Sequence, residues 1–328
     1  LILVYYLLLI NIVAFTFYGL DKFFAVKHMR RISEASLILL AGIGGAFGAL
    51  TGILVFHHKT RKKKFYVTVP VLAGVFFLLN GFFLYQNYHL VVTEYEYKSA
   101  EVPASLDGYV IVQISDLHNQ WFGFDEGVLL DRIRACEPDI IVVTGDVLDS
   151  SHTRYAFAED FFRGAVEIAP VYYITGNHEE WLPRNRFNRF LDEIEQMGVI
   201  CLDDREAEVD GFLLAGVAEA SLGKDLSGKY PADRLVVLLA HEPGYYENYG
   251  KSGSDVVLTG HNHGGQFILP GKGGLVSPDL KFFPKLYEGM HQYGDMSMII
   301  SRGLGNSVIP VRINNYPEIV KLTLRTEE

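Results

Sequence analysis

The chain has 328 residues, enough for one large domain and a smaller one, and its formal charge of −10 conceals a division. Residues 1–90 hold nine Lys/Arg against two Asp/Glu, whereas the remainder holds twenty against thirty-seven. A domain that acidic repels a nucleic-acid backbone, so nucleic acid is excluded as a partner, and an anionic substrate has to be attracted by local metal charge.

Residues 1–20, LILVYYLLLINIVAFTFYGL, are almost wholly apolar and long enough to span a bilayer. They lack the basic start and small-residue cleavage site of a signal peptide. Residues 65–85 make a second apolar stretch. Between them lies the apolar run Ala35–Phe56 with GIGGAFG at its midpoint, which reads as a third span or as a re-entrant hairpin broken at Gly44-Gly45. Basic residues flank it on both sides: Lys22, Lys27, Arg30 and Arg31 before, Lys59 and Arg61–Lys64 after. A full span would put one of these groups outside, against the positive-inside rule, so the hairpin is the expected form. The RKKK preceding the last stretch points to the cytoplasm, and the opposite flank, with no Lys or Arg and several tyrosines, points away from it. The expectation is a multi-pass cell-membrane protein, with a membrane domain at 1–92 and an extracytoplasmic domain at 93–328. Residues 1–20 and the later spans offer no carboxylate or Lys for an ion pathway; only Asn11 and Asn80 are strongly polar there.

From Thr93 the pattern changes to that of a soluble α/β domain. Helical patterns at Gly127–Ala135, Tyr155–Ile168 and Arg184–Met197 alternate with short apolar runs, and later strands are expected at Phe212–Val217, Leu235–Ala240, Met296–Ser301 and Glu318–Leu324. Two β layers covered by helices would bury such runs. Cys136 and Cys201 form no C-x-x-C pair and are too few for a disulfide framework.

Five of the apolar runs end in oxygen or imidazole groups. YVIVQIS leads to Asp116 and His118, DIIVVTG to Asp146 and Asp149, VYYITG to Asn177 and His178, RLVVLLA to His241, and DVVLTG to His261 and His263. In an open sheet the ends of neighbouring strands converge on one crevice. Carboxylates, an amide and imidazoles gathered there make a metal site, with room for two cations, and mixed N/O ligation without thiolate suits manganese, iron or zinc over magnesium or calcium.

SDLH at 115–118, GDVLD at 145–149, GNHE at 176–179, AHEP at 240–243 and GHNHGGQ at 260–266 together resemble the calcineurin-like metallophosphoesterases, in particular a bacterial membrane-anchored branch. The segments YGLDKFFAVKHMRRIS and HHKTRKKKF resemble a small bacterial membrane-domain family of unknown role. The first resemblance implies a four-layer αββα sandwich with a centre for two divalent metal ions. Asp116, His118 and His263 would hold one metal; Asn177, His241 and His261 would hold the other; Asp146 would bridge them. It implies hydrolysis by a water held between the cations, with His178 near the leaving-group oxygen as proton donor or positive stabiliser, and Asp149 orienting His178 by a hydrogen bond. Arg302 is a weak candidate for a phosphate clamp, and Trp121, Phe122, Phe124, Phe282, Phe283 and Tyr287 are candidates for contact with a lipid-linked substrate. The expected reaction is hydrolysis of a membrane-associated phosphodiester or pyrophosphate. The alternatives are a phosphomonoesterase acting on soluble or protein phosphate, and a non-catalytic metal-binding scaffold.

Overall fold

The computed structural model describes residues 2–278, 280–307 and 309–327. The chain divides into two compact units, Leu1–Leu84 and Tyr85–Glu328. The first contains helices α1 (Ile2–Val26), α2 (Glu34–Leu40), α3 (Ala46–Val55) and α4 (Lys63–Tyr66), and most of α5 (Thr68–Tyr88). Three helical stretches, Tyr5–Val26, Glu34–Val55 and Lys63–Tyr88, are long and apolar enough to cross a membrane by length and composition.

The middle stretch doubles back on itself. Run straight, its 22 residues would cover about 33 Å. Yet both flanks meet one carboxylate: the Ile32 amide donates to Asp21 Oδ1 at 3.0 Å, and His58 Nε2 lies 2.7 Å from Asp21 Oδ2. The chain turns in a π-helical segment, Ala41–Gly45, where Gly44 has φ +113°, a conformation that glycine takes without penalty. The tip is fastened to α1, because Asn11 donates to the Gly44 carbonyl at 2.9 Å and accepts from the Gly48 amide at 2.7 Å. A Cβ on Gly48 would come within 1.9 Å of the Asn11 carbonyl oxygen, so the glycines serve both the turn and the close helix contact. Helix α1 runs past residue 20 and therefore includes a carboxylate. Asp21 is fully buried and also holds Arg31 at 3.0 Å and Lys59 at 3.1 Å.

The second unit is built from strands β1 (Val91–Ser99), β2 (Val110–Ile114), β3 (Ile140–Thr144), β4 (Val171–Ile174), β5 (Ile200–Cys201), β6 (Glu206–Val209), β7 (Phe212–Gly216), β8 (Val236–Leu239) and β9 (Val256–Thr259). A small hairpin, β10 (Ile268–Leu269) and β11 (Gly273–Gly274), is followed by β12 (Gly289–Tyr293), β13 (Met296–Ile300) and β14 (Glu318–Thr326). Its helices are α6 (Gly127–Arg134), α7 (Tyr155–Ala165), α8 (Asn177–Glu180), α9 (Arg184–Met197) and α10 (Tyr246–Gly250). One sheet has the order β1-β14-β2-β3-β4-β5 and the other β12-β13-β9-β8-β7-β6.

The two sheets face each other across Ile111, Ile140 and Val142 on one side and Leu214, Val237 and Leu239 on the other. Helices α6, α7 and α9 cover the outer face of the first sheet through Leu129, Phe162 and Phe190. The outer face of the second is covered by Tyr249 of α10 and by Leu226 and Tyr230 of a connecting loop. The architecture is thus helix, sheet, sheet, helix. It explains why β3 is buried at every position: with both faces covered, the run IIVVT shows no alternation. Strands β2, β3 and β4 are mutually parallel, as are β7, β8 and β9, so their carboxyl ends share an edge in each sheet. The motif residues follow those ends.

Candidate metal centre

The seven expected ligands converge. Ligand atoms of Asp116, His118 and His263 lie within 4.8 Å of one another, and so do those of Asp146, His241 and His261. Asn177 joins the second group, its Oδ1 lying 3.0 Å from His241 Nε2 and 2.9 Å from His261 Nδ1. Asp146 Oδ2 lies between the groups, 3.5 Å from His118 Nε2 and 3.3 Å from His241 Nε2. All seven side chains are buried.

The hydrogen bonds determine which atoms are lone-pair donors. A carbonyl can only accept, so the 2.8 Å contact between His241 Nδ1 and the Thr144 carbonyl places the proton of the neutral ring on Nδ1. Its Nε2 lone pair then faces Asn177 Oδ1 and Asp146 Oδ2, which are themselves acceptors. His118 Nε2 likewise faces His263 Nε2 at 3.1 Å. Acceptors aimed at acceptors form a cradle for positive charge, and the electrostatics agree. Burial acts against charge on His241, but Asp146 outweighs it and holds the imidazole well above its ordinary pKa, so a cation ligated at Nε2 takes the place of a proton there. Burial also opposes charge on Asp146, yet His241 and His118 keep its carboxyl well below the usual range. Burial takes His118 down to about 3, and burial with Arg312 takes His263 well below its ordinary value, so both rings stay neutral, as metal ligation requires. The donor set fits divalent cations.

The backbone is bent to make this arrangement. Asp116, His118, Asp146, His261 and His263 all have φ between +46° and +67°, a region that costs a non-glycine residue ~1–3 kcal/mol. Neighbouring glycines provide the space: a Cβ on Gly260 would meet Ser115 Oγ at 1.9 Å, and one on Gly176 would meet Asp146 Oδ1 at 2.3 Å. Glu179, quoted above only as part of GNHE, fixes the turn. It accepts from the amides of Asp146 and Gly176 on Oε2 and of Leu148 on Oε1 at 2.8–2.9 Å. Burial and the Asp146 charge push its pKa up to about 8, against the three N–H groups that favour the ionised form.

His178 sits at the edge of the cluster, its ring centroid 4.6 Å from that of His118. Asp149 does not orient it by the hydrogen bond expected from the sequence. The Asp149 carboxylate instead accepts from the amides of Ser151 and His152, at 2.7 and 2.9 Å, closing a turn. That turn presents the Ser150 amide, which donates to His178 Nδ1 at 3.1 Å. An aspartate side chain readily accepts from the backbone amides two and three residues ahead of it, and that local geometry wins. Arg302 is engaged elsewhere, 2.8 Å from Glu318 and 3.5 Å from Glu288, so it is not poised as a clamp. Phe122 is buried, whereas Trp121, Phe124, Phe282 and Phe283 are exposed.

Three contacts carry no sequence signal: fully buried Arg312 reaches to 3.4 Å from His263 Nδ1, Asn315 donates to the His263 carbonyl at 2.6 Å, and Ser307 Oγ lies 3.3 Å from His178 Nε2.

Two recesses flank the cluster. One, of about 680 Å³, starts at His261 and is lined by Glu242, Tyr245, Lys281, Lys285 and Leu286. The other, of about 90 Å³, starts at His263 and is mostly apolar, lined by Val276, Pro278, Leu280 and Ile309.

Comparison with known proteins agrees with the geometry. The calcineurin-like phosphoesterase family model matches residues 109–265, and a model described as a protein of unknown function (DUF1294) matches residues 11–65. The chain is 29% identical to the uncharacterized metallophosphoesterase YkuE of Bacillus subtilis, covering 75% of this chain and 90% of that one. It is 26% identical to a transmembrane protein with metallophosphoesterase domain of Bos taurus, over 90% of this chain and 68% of the relative. It is also 26% identical to phosphodiesterase YaeI of Escherichia coli, over 57% of this chain and 71% of the relative. The chain therefore carries a calcineurin-like metallophosphoesterase domain behind a DUF1294 domain, and it is a metal-dependent phosphoesterase.

Proposed function

We propose that the enzyme hydrolyses a membrane-associated phosphodiester or pyrophosphate on the extracytoplasmic face of a cell membrane. The observation that carries this reading is the pair of recesses. A phosphodiester has two substituents on phosphorus, and the cluster meets two recesses, one at His261 with two lysines and one at His263 that is mostly apolar. A monoester would occupy only one of them. An amphiphilic, lipid-linked phosphate suits the contrast in lining, with Phe282 and Phe283 exposed on the segment that contributes to both recesses.

Asp116, His118 and His263 would hold one divalent cation; Asn177, His241 and His261 would hold a second; Asp146 would be shared. Bound there, the cations would polarise the phosphoryl oxygens and lower the pKa of a coordinated water. The side chains do the rest. Neutral imidazoles and an amide keep the ligand charge low, so the centre retains positive charge for the substrate. Because the Ser150 amide occupies Nδ1, the neutral His178 ring carries its proton on Nε2 and offers it as a hydrogen-bond donor to the departing oxygen. Asp149 acts through the turn that positions Ser150.

The membrane assignment rests on unit 1. The hairpin returns Lys59 to the same carboxylate as Arg31, so both basic flanks gather at one end of α1. By the positive-inside rule that end faces the cytoplasm, and the crossing that follows carries the chain outward.

The test uses the full chain in detergent, stripped of metal and reloaded with Mn, Zn or Fe. Hydrolysis of bis(p-nitrophenyl) phosphate exceeding that of p-nitrophenyl phosphate, and lost in Asp146→Asn, is the expected result. A reversed ratio would establish the phosphomonoesterase. Two bound metals without turnover of either compound or of lipid-linked phosphates would favour the scaffold.

A further inference from the structure

Residues 302–307 and 309–315 line one side of the metal centre outside any helix or named strand, and much of what fixes them comes from the far end of the sequence. The first part of this segment is pinned to the strand end that carries the first motif: the Leu304 amide donates to the Ser115 carbonyl at 3.0 Å and the Gly305 amide to the Asp116 carbonyl at 2.6 Å. Its middle brings Ser307 to His178, and its later part brings Arg312 to His263. Arg312 also ties the segment together, donating to the carbonyls of Arg302 at 2.9 Å and Gly305 at 2.5 Å.

The remaining anchors are Gln86 and Asn87, in the last turn of α5, both buried and both within the second unit. Gln86 Oε1 accepts from the Asn314 amide at 2.9 Å. Asn87 Oδ1 accepts from the Arg312 amide at 3.2 Å and from the Asn306 side chain at 2.8 Å. Asn306 Oδ1 in turn accepts from Gln266, the last residue of the GHNHGGQ motif, at 3.2 Å. Two neutral amides thus satisfy the backbone N–H of buried Arg312, that of Asn314 and the side-chain amide of half-buried Asn306. A buried donor stripped of its acceptor costs ~1–3 kcal/mol, which the segment can recover only by moving toward water. Ser307 and Arg312 would move with it.

We infer that Gln86 and Asn87 are positioning residues for the reaction, setting the loop that presents Ser307 to His178 and Arg312 to His263. The inference rests on the reading of His178 as hydrogen-bond donor to the leaving oxygen. A helix end that merely anchored the domain would contribute stability and leave the chemistry unaltered. One that positions His178 must matter more when the leaving oxygen needs more help.

The experiment compares methyl p-nitrophenyl phosphate, with a good leaving group, and methyl phenyl phosphate, with a poorer one, on the metal-loaded full chain in detergent. In Asn87→Leu, kcat on the phenyl ester should fall ~10-fold further than on the p-nitrophenyl ester, the equivalent of ~1.4 kcal/mol of lost transition-state stabilisation, while KM stays within ~2-fold. Asn87→Asp keeps the accepting oxygen and should restore the wild-type ratio. Gln86→Met, which frees only the Asn314 amide, carries the same test if Asn87→Leu does not fold. His178→Ala is the control. An unchanged ratio in that variant would sink the reading of His178 and this inference with it. A changed ratio there, with an unchanged ratio and full metal content in Asn87→Leu, overturns the inference alone.

Discussion

Gly176→Ala tests the centre without touching a ligand. Gly176 has φ −111°, which alanine adopts freely, so the perturbation is purely steric. The new Cβ would lie 2.3 Å from Asp146 Oδ1, whereas carbon and oxygen approach comfortably at about 3.3 Å. The carboxylate must therefore retreat by ~1 Å, several times the ~0.2 Å tolerance of a metal–ligand distance. Asp146 has little freedom to do so, since Oδ1 accepts from the His178 amide at 2.8 Å and its own amide is held by Glu179. A 1 Å misplacement of this kind costs ~100-fold in rate, and loss of ligand support weakens metal binding ~10–100-fold. The assay is metal content by elemental analysis together with bis(p-nitrophenyl) phosphate turnover, with melting of the metal-free chain as a measure of folding. Two metals bound at wild-type affinity with wild-type turnover would refute the placement of Asp146 between the cations.

Asp21→Asn should lower the thermal stability of the full chain in detergent by ~3 kcal/mol, because Lys59, almost fully buried, loses its principal counter-charge while half-exposed Arg31 is partly compensated by solvent; an unchanged melt would mean that the hairpin does not depend on this knot. Glu126 is buried with only the Phe122 amide on Oε2, and burial raises its pKa from the ordinary 4.5 to about 7. A raised folded pKa means that its contribution is fully present below 4.5 and is lost as pH rises through about 7, by at most ~3 kcal/mol. Stability measured at pH 5, 6.5 and 8 should therefore fall less steeply in Glu126→Gln, and parallel slopes would dismiss the effect. Chelation should lower the melting temperature of the wild type in proportion to metal affinity, ~2.7 kcal/mol when free metal had stood at a hundred times its Kd, and should leave Asp146→Asn nearly unmoved.

The convergence of the candidate ligands was legible because they follow short apolar runs buried on both faces, such as IIVVT or VVLT, and parallel strands bring their ends to one edge. The helix over Arg184–Met197 was equally plain, opened by Pro183 and closed by Gly198 at φ +105°. What escaped depends on contacts that no local pattern encodes. Asp149 had two available partners, and only the coordinates reveal that its own turn takes the carboxylate. Arg302 was a free cation on paper until Glu318 appeared beside it. Arg312 and Ser307 lie in an irregular segment whose meeting with His263 and His178 spans 49 and 129 residues. Asp21 fell just beyond the stretch read as a span, and its partners Arg31, His58 and Lys59 lie on both sides of the hairpin.

The order of the first sheet bears on how the enzyme is made. Strand β14, the last among the described residues, lies between β1 and β2, pairing Val91 with Glu318 and Val112 with Lys321. Until residues 318–326 leave the ribosome, the first two strands of the catalytic unit have no common neighbour and their inner edges stay open. At ~5–20 residues per second that interval lasts roughly ten to fifty seconds. Helix α5 and β1 are complete long before, so the nascent chain must wait with unpaired strand edges, a state prone to aggregation. A chain interrupted before Glu318 would leave the sheet without the strand that joins its halves, and such products should be cleared by proteolysis rather than accumulate as partly active enzyme.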